Sequence, residues 1–244
     1  MKPITNQKTM KLLSDNNKIS KGEKFGYYTQ GVHLSPYDKS GFNVCPWASK
    51  GCAQACLDTA GMGAFSNVQA SRIKKTRFYF DDRQGFLCQL VNEIGLACKR
   101  AKKKGLTPCF RLNLTSDLPW EKVRCEHDGK TIFEKFPECT FYDYTKGFQR
   151  IKKYLDGKMP SNYHLTFSRS ESNGARAELV LAMGGNVACV FRNHLPKSWK
   201  GKPVIDGDEN DLRFLDPKGC VVGLIEKGRA KKDASGFVLE PSSN

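Results

Sequence analysis

The chain has 244 residues, 39% hydrophobic and 27% charged, which suits one substantial globular core and excludes a fibrous or disordered chain. Its formal net charge is +15 at pH 7, an excess that points to a polyanionic partner, of which nucleic acid is the commonest in cells. No apolar run approaches the ~18 residues of a membrane span and the N-terminus lacks an apolar signal core, so a membrane protein is not expected and the cytoplasm is the expected location.

Residues 1–24 are polar and lysine-rich and read as an arm ahead of a single domain over 25–244. "FGYYTQGVHLSP" (25–36) reads as a first strand ending at a Ser-Pro pair. Directly after it comes "CPWASKGCAQAC" (45–56), which gathers three of the ten cysteines. "SNVQASRIKKTRFYF" (66–80) reads as a helix, and 83–104 as the clearest one. There Phe86, Leu90, Ile94 and Cys98 recur every fourth residue, with Leu87, Val91 and Ala97 beside them and Gly105 as the stop.

Strands are then predicted at 109–117, 139–145, 163–169, 186–192, 202–208 and 220–227, with helical patterns at 148–155 and 174–185. The strand starts at 139, 163 and 186 are 24 and 23 residues apart. Strand, helix, strand at that pitch makes parallel βαβ units. The expected fold is therefore α/β, a complete or partial (β/α) TIM-like barrel in a single domain, with an open doubly wound sheet as the alternative.

In parallel α/β proteins the chemistry sits at the C-terminal ends of the strands. Here those ends read "TSD", "YDYT", "FSRSE" and "IDGD", which gives Asp117, Asp143, Arg169, Glu171, Asp206 and Asp208 as candidates on one rim. Crowded carboxylates push their pKa values apart, so one can attack while another carries a proton. Their plainer reading is as helix caps and turn formers. Trp120, Tyr142 and Tyr144 lie beside them and offer faces on which a nucleobase could stack, or simply core.

Cys45, Cys52 and Cys56 have two readings as ligands. With a fourth ligand from His33, His164, His194 or a distant cysteine they would hold zinc. Alternatively they would bind three irons of a 4Fe-4S cluster and leave the fourth open. Their spacing, Cys-x6-Cys-x3-Cys, matches neither the Cys-x2-Cys zinc pair nor the Cys-x3-Cys-x2-Cys triplet of radical enzymes. The pattern indicates a metal and leaves its identity open, against the plain alternative of three structural thiols.

"GFNVCPWASKGCAQACLDTAG", "RLNLTSDLPWE", "FYDYTKG", "NYHLTFSRSESN" and "VIDGDENDLRFLDPKGCVVGLIEKG" run in this order along the chain. Together they resemble the gene product 88-like family encoded by phages and plasmids. The resemblance implies kinship with viral transglycosylases that replace guanine in DNA by a 7-deazaguanine, relatives of the tRNA-guanine transglycosylases. Those are (β/α) barrels with a structural zinc, in which one aspartate attacks the sugar and a second assists the incoming base. Carried to this chain, Asp117, Asp143, Asp206 and Asp208 stand where the strand-end aspartates would be needed, with Asp143 expected as nucleophile or base and Asp117 or Asp206 as its partner. Arg169, Glu171, Tyr142, Tyr144 and Trp120 would contact substrate, and Cys45, Cys52 and Cys56 would hold zinc. The partners would be DNA and a small 7-deazaguanine base, in the cytoplasm of the host cell. The cysteine spacing departs from the Cys-x-Cys-x2-Cys of the tRNA enzymes. A second expectation therefore stands beside the first, a radical-type enzyme using a 4Fe-4S cluster and S-adenosylmethionine. A third is a basic, metal-stabilised nucleic-acid-binding protein without catalysis.

Overall fold

The computed structural model describes residues 10–241. Ten strands form one mixed sheet: β1 (Leu13–Ser14), β2 (Tyr27–Val32), β3 (Thr107–Arg111), β4 (Thr140–Thr145), β5 (Tyr163–Ser168), β6 (Val187–Phe191), β7 (Ser198–Trp199), β8 (Lys202–Asp206), β9 (Val221–Ile225) and β10 (Val238–Leu239). The order is β1-β2-β3-β4-β5-β6-β9-β8-β7, with β10 added to β6. The seven strands from β2 to β8 along this path are parallel; β1 and β7 pair antiparallel at its two ends.

The α-helices are α1 (Lys50–Gln54), α2 (Ser66–Asp81), α3 (Arg83–Lys103), α4 (Ile132–Lys135), α5 (Phe148–Leu155) and α6 (Gly174–Ala182). The apolar stripe of α3 is fully buried at Phe86, Leu90 and Ile94. Asp82 caps its start by accepting from Gly85 N at 2.8 Å, and Gly105 ends it with φ +67°. Strand residues alternate between two faces. Phe110, Phe141, Tyr163, Phe167, Val187 and Val221 share one core with the inner residues of α3, α5 and α6. The opposite face carries Cys109 and Tyr142 against Leu212 and Phe214, and Ala188 and Val222 beside Tyr144. The long helices thus cover one face of the sheet. The turn at Arg213–Leu215 packs on the other, against β4 and β5.

The expected α/β fold with a parallel sheet is present, and the sheet is open rather than closed into a complete barrel. Two short antiparallel strands occupy the positions where closure would have to occur, and antiparallel end strands cannot continue the parallel ladder. Residues 10–24, which read as an arm, are packed: Leu12, Leu13 and Ile19 are buried and β1 pairs with β2. Residues 1–9 of that arm lie outside the described residues. Their lysines mask the apolar pairs from a composition-based reading. No described helix is long and apolar enough to cross a membrane.

Candidate cysteine-loop site at the strand ends

The loop between β2 and α2 lies across the C-terminal ends of the parallel strands, and three contacts hold it there. Cys45 Sγ accepts from Tyr37 N at 3.4 Å and lies 3.9 Å from Thr115 O, beyond β3. Trp47 packs on Gly147, where an added Cβ would meet its ring at 3.0 Å, and Arg150 stacks on it at 5.4 Å, both beyond β4. Glu171, beyond β5, accepts from Ser49 Oγ at 2.7 Å and from Gly51 N at 2.8 Å. Ser49 caps α1 in turn, accepting from Cys52 N at 3.2 Å. Glu171 therefore fastens the very turn that carries Cys52.

Burial pushes the Cys45 thiol up to about 12; the Cys56 and Cys52 thiols add to that rise, while the Tyr37 amide opposes it. Burial likewise pushes Cys56 up to about 11, against a hydrogen bond from the Asp58 backbone and with Asp58 and Cys52 adding to the rise. Cys52 lies near enough to Cys45 and Cys56 to disfavour the ionisation of both, which a bound cation would offset. A tetrahedral zinc with Zn–S of about 2.3 Å brings its sulfurs to roughly 3.8 Å from one another. Among the described residues, Cys98, Glu138 and Cys139 are the group whose ligating atoms all lie within 4.8 Å; the three loop sulfurs do not meet that condition.

Of the histidines considered as a fourth ligand, His33 Nδ1 is 3.0 Å from Ser14 Oγ. Its pKa is lowered to about 3 by burial, and then by Arg72, Lys75 and Arg111. His164 packs against Phe214 on the face opposite the helices, and His194 is exposed.

The candidate carboxylates divide into two groups. Asp143 has no exposure and shares the helix-facing side of β4 with Phe141. It accepts from Asn113 N at 2.7 Å, Asn113 Nδ2 at 3.2 Å and Tyr163 Oη at 3.0 Å, and burial pushes its carboxyl up to about 7. Asp117 is 8% exposed and binds Arg150 Nη1 at 2.7 Å and Lys146 N at 2.8 Å. Burial raises its pKa, with Arg150 opposing. Arg150 joins the two aspartates by also donating to Tyr163 Oη at 3.1 Å, and it grips Glu121 through Nε at 2.9 Å and Nη2 at 2.8 Å. Trp120 is fully buried and donates to Asn113 Oδ1 at 3.2 Å, so it belongs to this same internal network.

The second group lies at the end of β8 and in the segment beyond it. Asp206 is exposed and accepts from Asp208 N at 2.7 Å. Asp208 pairs with Lys227 at 2.7 Å and Lys18 at 3.6 Å. Asp211, which sequence reasoning missed, is buried and takes Arg111 Nη1 at 2.9 Å and Tyr142 Oη at 3.2 Å, with Lys18 at 3.4 Å. Arg111 also lies 4.6 Å over the Tyr144 ring. The Tyr144 hydroxyl, Arg111 Nε and Arg213 Nη1 have no hydrogen-bond partner here among the described residues.

Arg169 donates through Nη1 to the carbonyls of Gly236 and Phe237, so it anchors the C-terminal segment. The residues missed by sequence reasoning are Asn113, Arg111, Arg150 and Asp211. Asn113 stood inside a quoted motif, and Arg150 stood in a basic run that reads as a solvated face.

No curated protein and no solved structure matches the chain. The family model described as gene product 88 matches residues 8–241. With nearly the whole chain matched, the protein belongs to the gene product 88 family.

Proposed function

We propose that this protein is an iron–sulfur enzyme of the radical type acting on nucleic acid, with its cluster held by Cys45, Cys52 and Cys56 and one iron open to S-adenosylmethionine. The observation that carries this reading is the placement of the three thiols. They follow the first parallel strand in one loop that lies across the strand ends, where three thiolates would bind three irons of a cluster and leave the fourth open. Longer helices on a single face of a parallel sheet support a partial (β/α) barrel, whose C-terminal strand ends would receive the reactants. When bound, such a cluster supplies one electron to cleave the nucleoside cofactor.

The chain's own residues do the positioning. Glu171 and Ser49 fix the Cys52 turn, and Trp47 and Arg150 fix the approach to Cys45. Lys18 offers a part-exposed cation on the face opposite the helices, where Arg111 and Arg213 are largely buried. The +15 charge favours a nucleic-acid strand.

Exchange of guanine for a 7-deazaguanine is a second reading, and it needs a carboxylate free to attack a sugar. Of the four candidates Asp206 is the exposed one, so it takes the nucleophile's place in that scheme.

The test is iron and acid-labile sulfide content after purification without oxygen. About four of each per chain, lost in C45S, C52S and C56S, with an electron paramagnetic resonance signal that changes on adding S-adenosylmethionine, is the expected result. Absence of iron and sulfide would refute it, whatever the zinc content.

A further inference from the structure

Cys98 and Cys139 bring their sulfurs to 3.3 Å at the opposite end of the sheet from the cysteine loop. Cys98 lies at the border of the α3 stripe and is half-buried; Cys139 immediately precedes β4 and is buried. A carboxylate oxygen of the exposed Glu138 completes a group whose three ligating atoms all fall within 4.8 Å.

The turn that presents Glu138 and Cys139 is held from behind. Asn162 Nδ2 donates to the carbonyls of Phe133 at 3.2 Å, Phe136 at 3.0 Å and Cys139 at 3.2 Å, and Cys139 N donates to Phe136 O at 3.1 Å. Both partners therefore sit on fixed backbone, one on a long helix and one on a pinned turn. That is the preorganisation a metal site requires.

We propose that Cys98, Glu138 and Cys139 form a zinc site that ties α3 to the start of β4. Two thiolates and a carboxylate are a borderline-soft donor set suited to zinc, with a fourth position left to water. Tetrahedral geometry asks the sulfurs to part from 3.3 Å to roughly 3.8 Å. Cys98 and Glu138, both partly open to solvent, give the ion its entry. At the N-terminal ends of the strands a bound ion serves stability, since it binds the folded chain and not the unfolded one. The site is independent of the cysteine loop and of the reading given to it.

The experiment uses the full-length C45S/C52S/C56S protein, stripped of metal and then given zinc alone. The expected result is one zinc per chain, a raised melting temperature, and a thiolate charge-transfer band when cobalt replaces zinc. Adding C98A and C139A should remove all three, and E138Q should weaken binding without abolishing it. Absence of zinc binding, or binding unchanged by C98A and C139A, overturns the site. So does a Cys98–Cys139 disulfide found in protein kept reduced. If the triple variant does not fold, the wild-type chain serves: zinc should slow alkylation of Cys98, and an unchanged rate overturns the proposal.

Discussion

Arg150 offers the sharpest test of how the rim is held together. It is 4% exposed, and its guanidinium pairs with Asp117 at 2.7 Å and Glu121 at 2.8 Å while also reaching Thr145 and Tyr163. Arg150→Ala leaves two buried carboxylates without a cation, which costs about 3–5 kcal/mol. Against a total stability of roughly 5–15 kcal/mol this is a large fraction. For a chain of this size it corresponds to a fall in melting temperature of roughly 6–20 °C.

The penalty also depends on pH, with a definite sign. Asp117 already titrates above its ordinary range because it is buried, and losing Arg150 moves it higher. The folded variant then takes up a proton before the unfolded chain does, so the destabilisation shrinks as pH falls. Urea unfolding of wild type and variant at pH 5 and pH 8 reads both effects. Arg150→Lys should fall between them, since an ammonium keeps the charge but not the planar fork. A variant within about 1 kcal/mol of wild type, or a gap identical at both pH values, refutes the reasoning.

Asp143→Asn should remove a slope in stability against pH. Burial holds the Asp143 carboxyl at about 7 in the folded chain against 3.8 as the ordinary value, so the stability contributed by the protonated form falls as pH rises through that window and is level above it. Thermal melts from pH 4 to pH 8 check this, and an unchanged slope counts against the buried assignment. Gly51→Ala should lower iron incorporation with little change in the far-UV circular dichroism, because the added Cβ meets Glu171 Oε2 at 2.7 Å and crowds Ser235. Glu171→Ala should do the same by freeing Ser49 and Gly51; normal iron content in both would show that the loop needs no clamp. Nucleic-acid binding should weaken steeply with added salt, which filter binding across a salt series measures; a flat response contradicts a charge-driven contact.

The sequence by itself determined the longer elements and their order, but not β1, α1 or α4, and it ran β3 on to 117 where the strand ends at Arg111. The four-residue repeat of α3, the βαβ pitch and the stop at Gly105 are local signals, and each strand from β4 onward, apart from the two-residue β7 and β10, lies within its predicted span. It also determined that Cys45, Cys52 and Cys56 share a loop after the first parallel strand, because loop membership follows from chain order. Tertiary structure decided which way each side chain faces and what it meets. Asp143 and Tyr142 are neighbours in one strand, yet alternation sends the first into the helix-side core and the second to Asp211, 69 residues away. Arg150 reads as one charge in a basic run until folding buries it between Asp117 and Glu121. Cys98 and Cys139 are 41 residues apart and read as two scattered core thiols until α3 packs beside β4. Local periodicity is written within a few residues of chain. Pairing between distant side chains exists only once the sheet has brought them together.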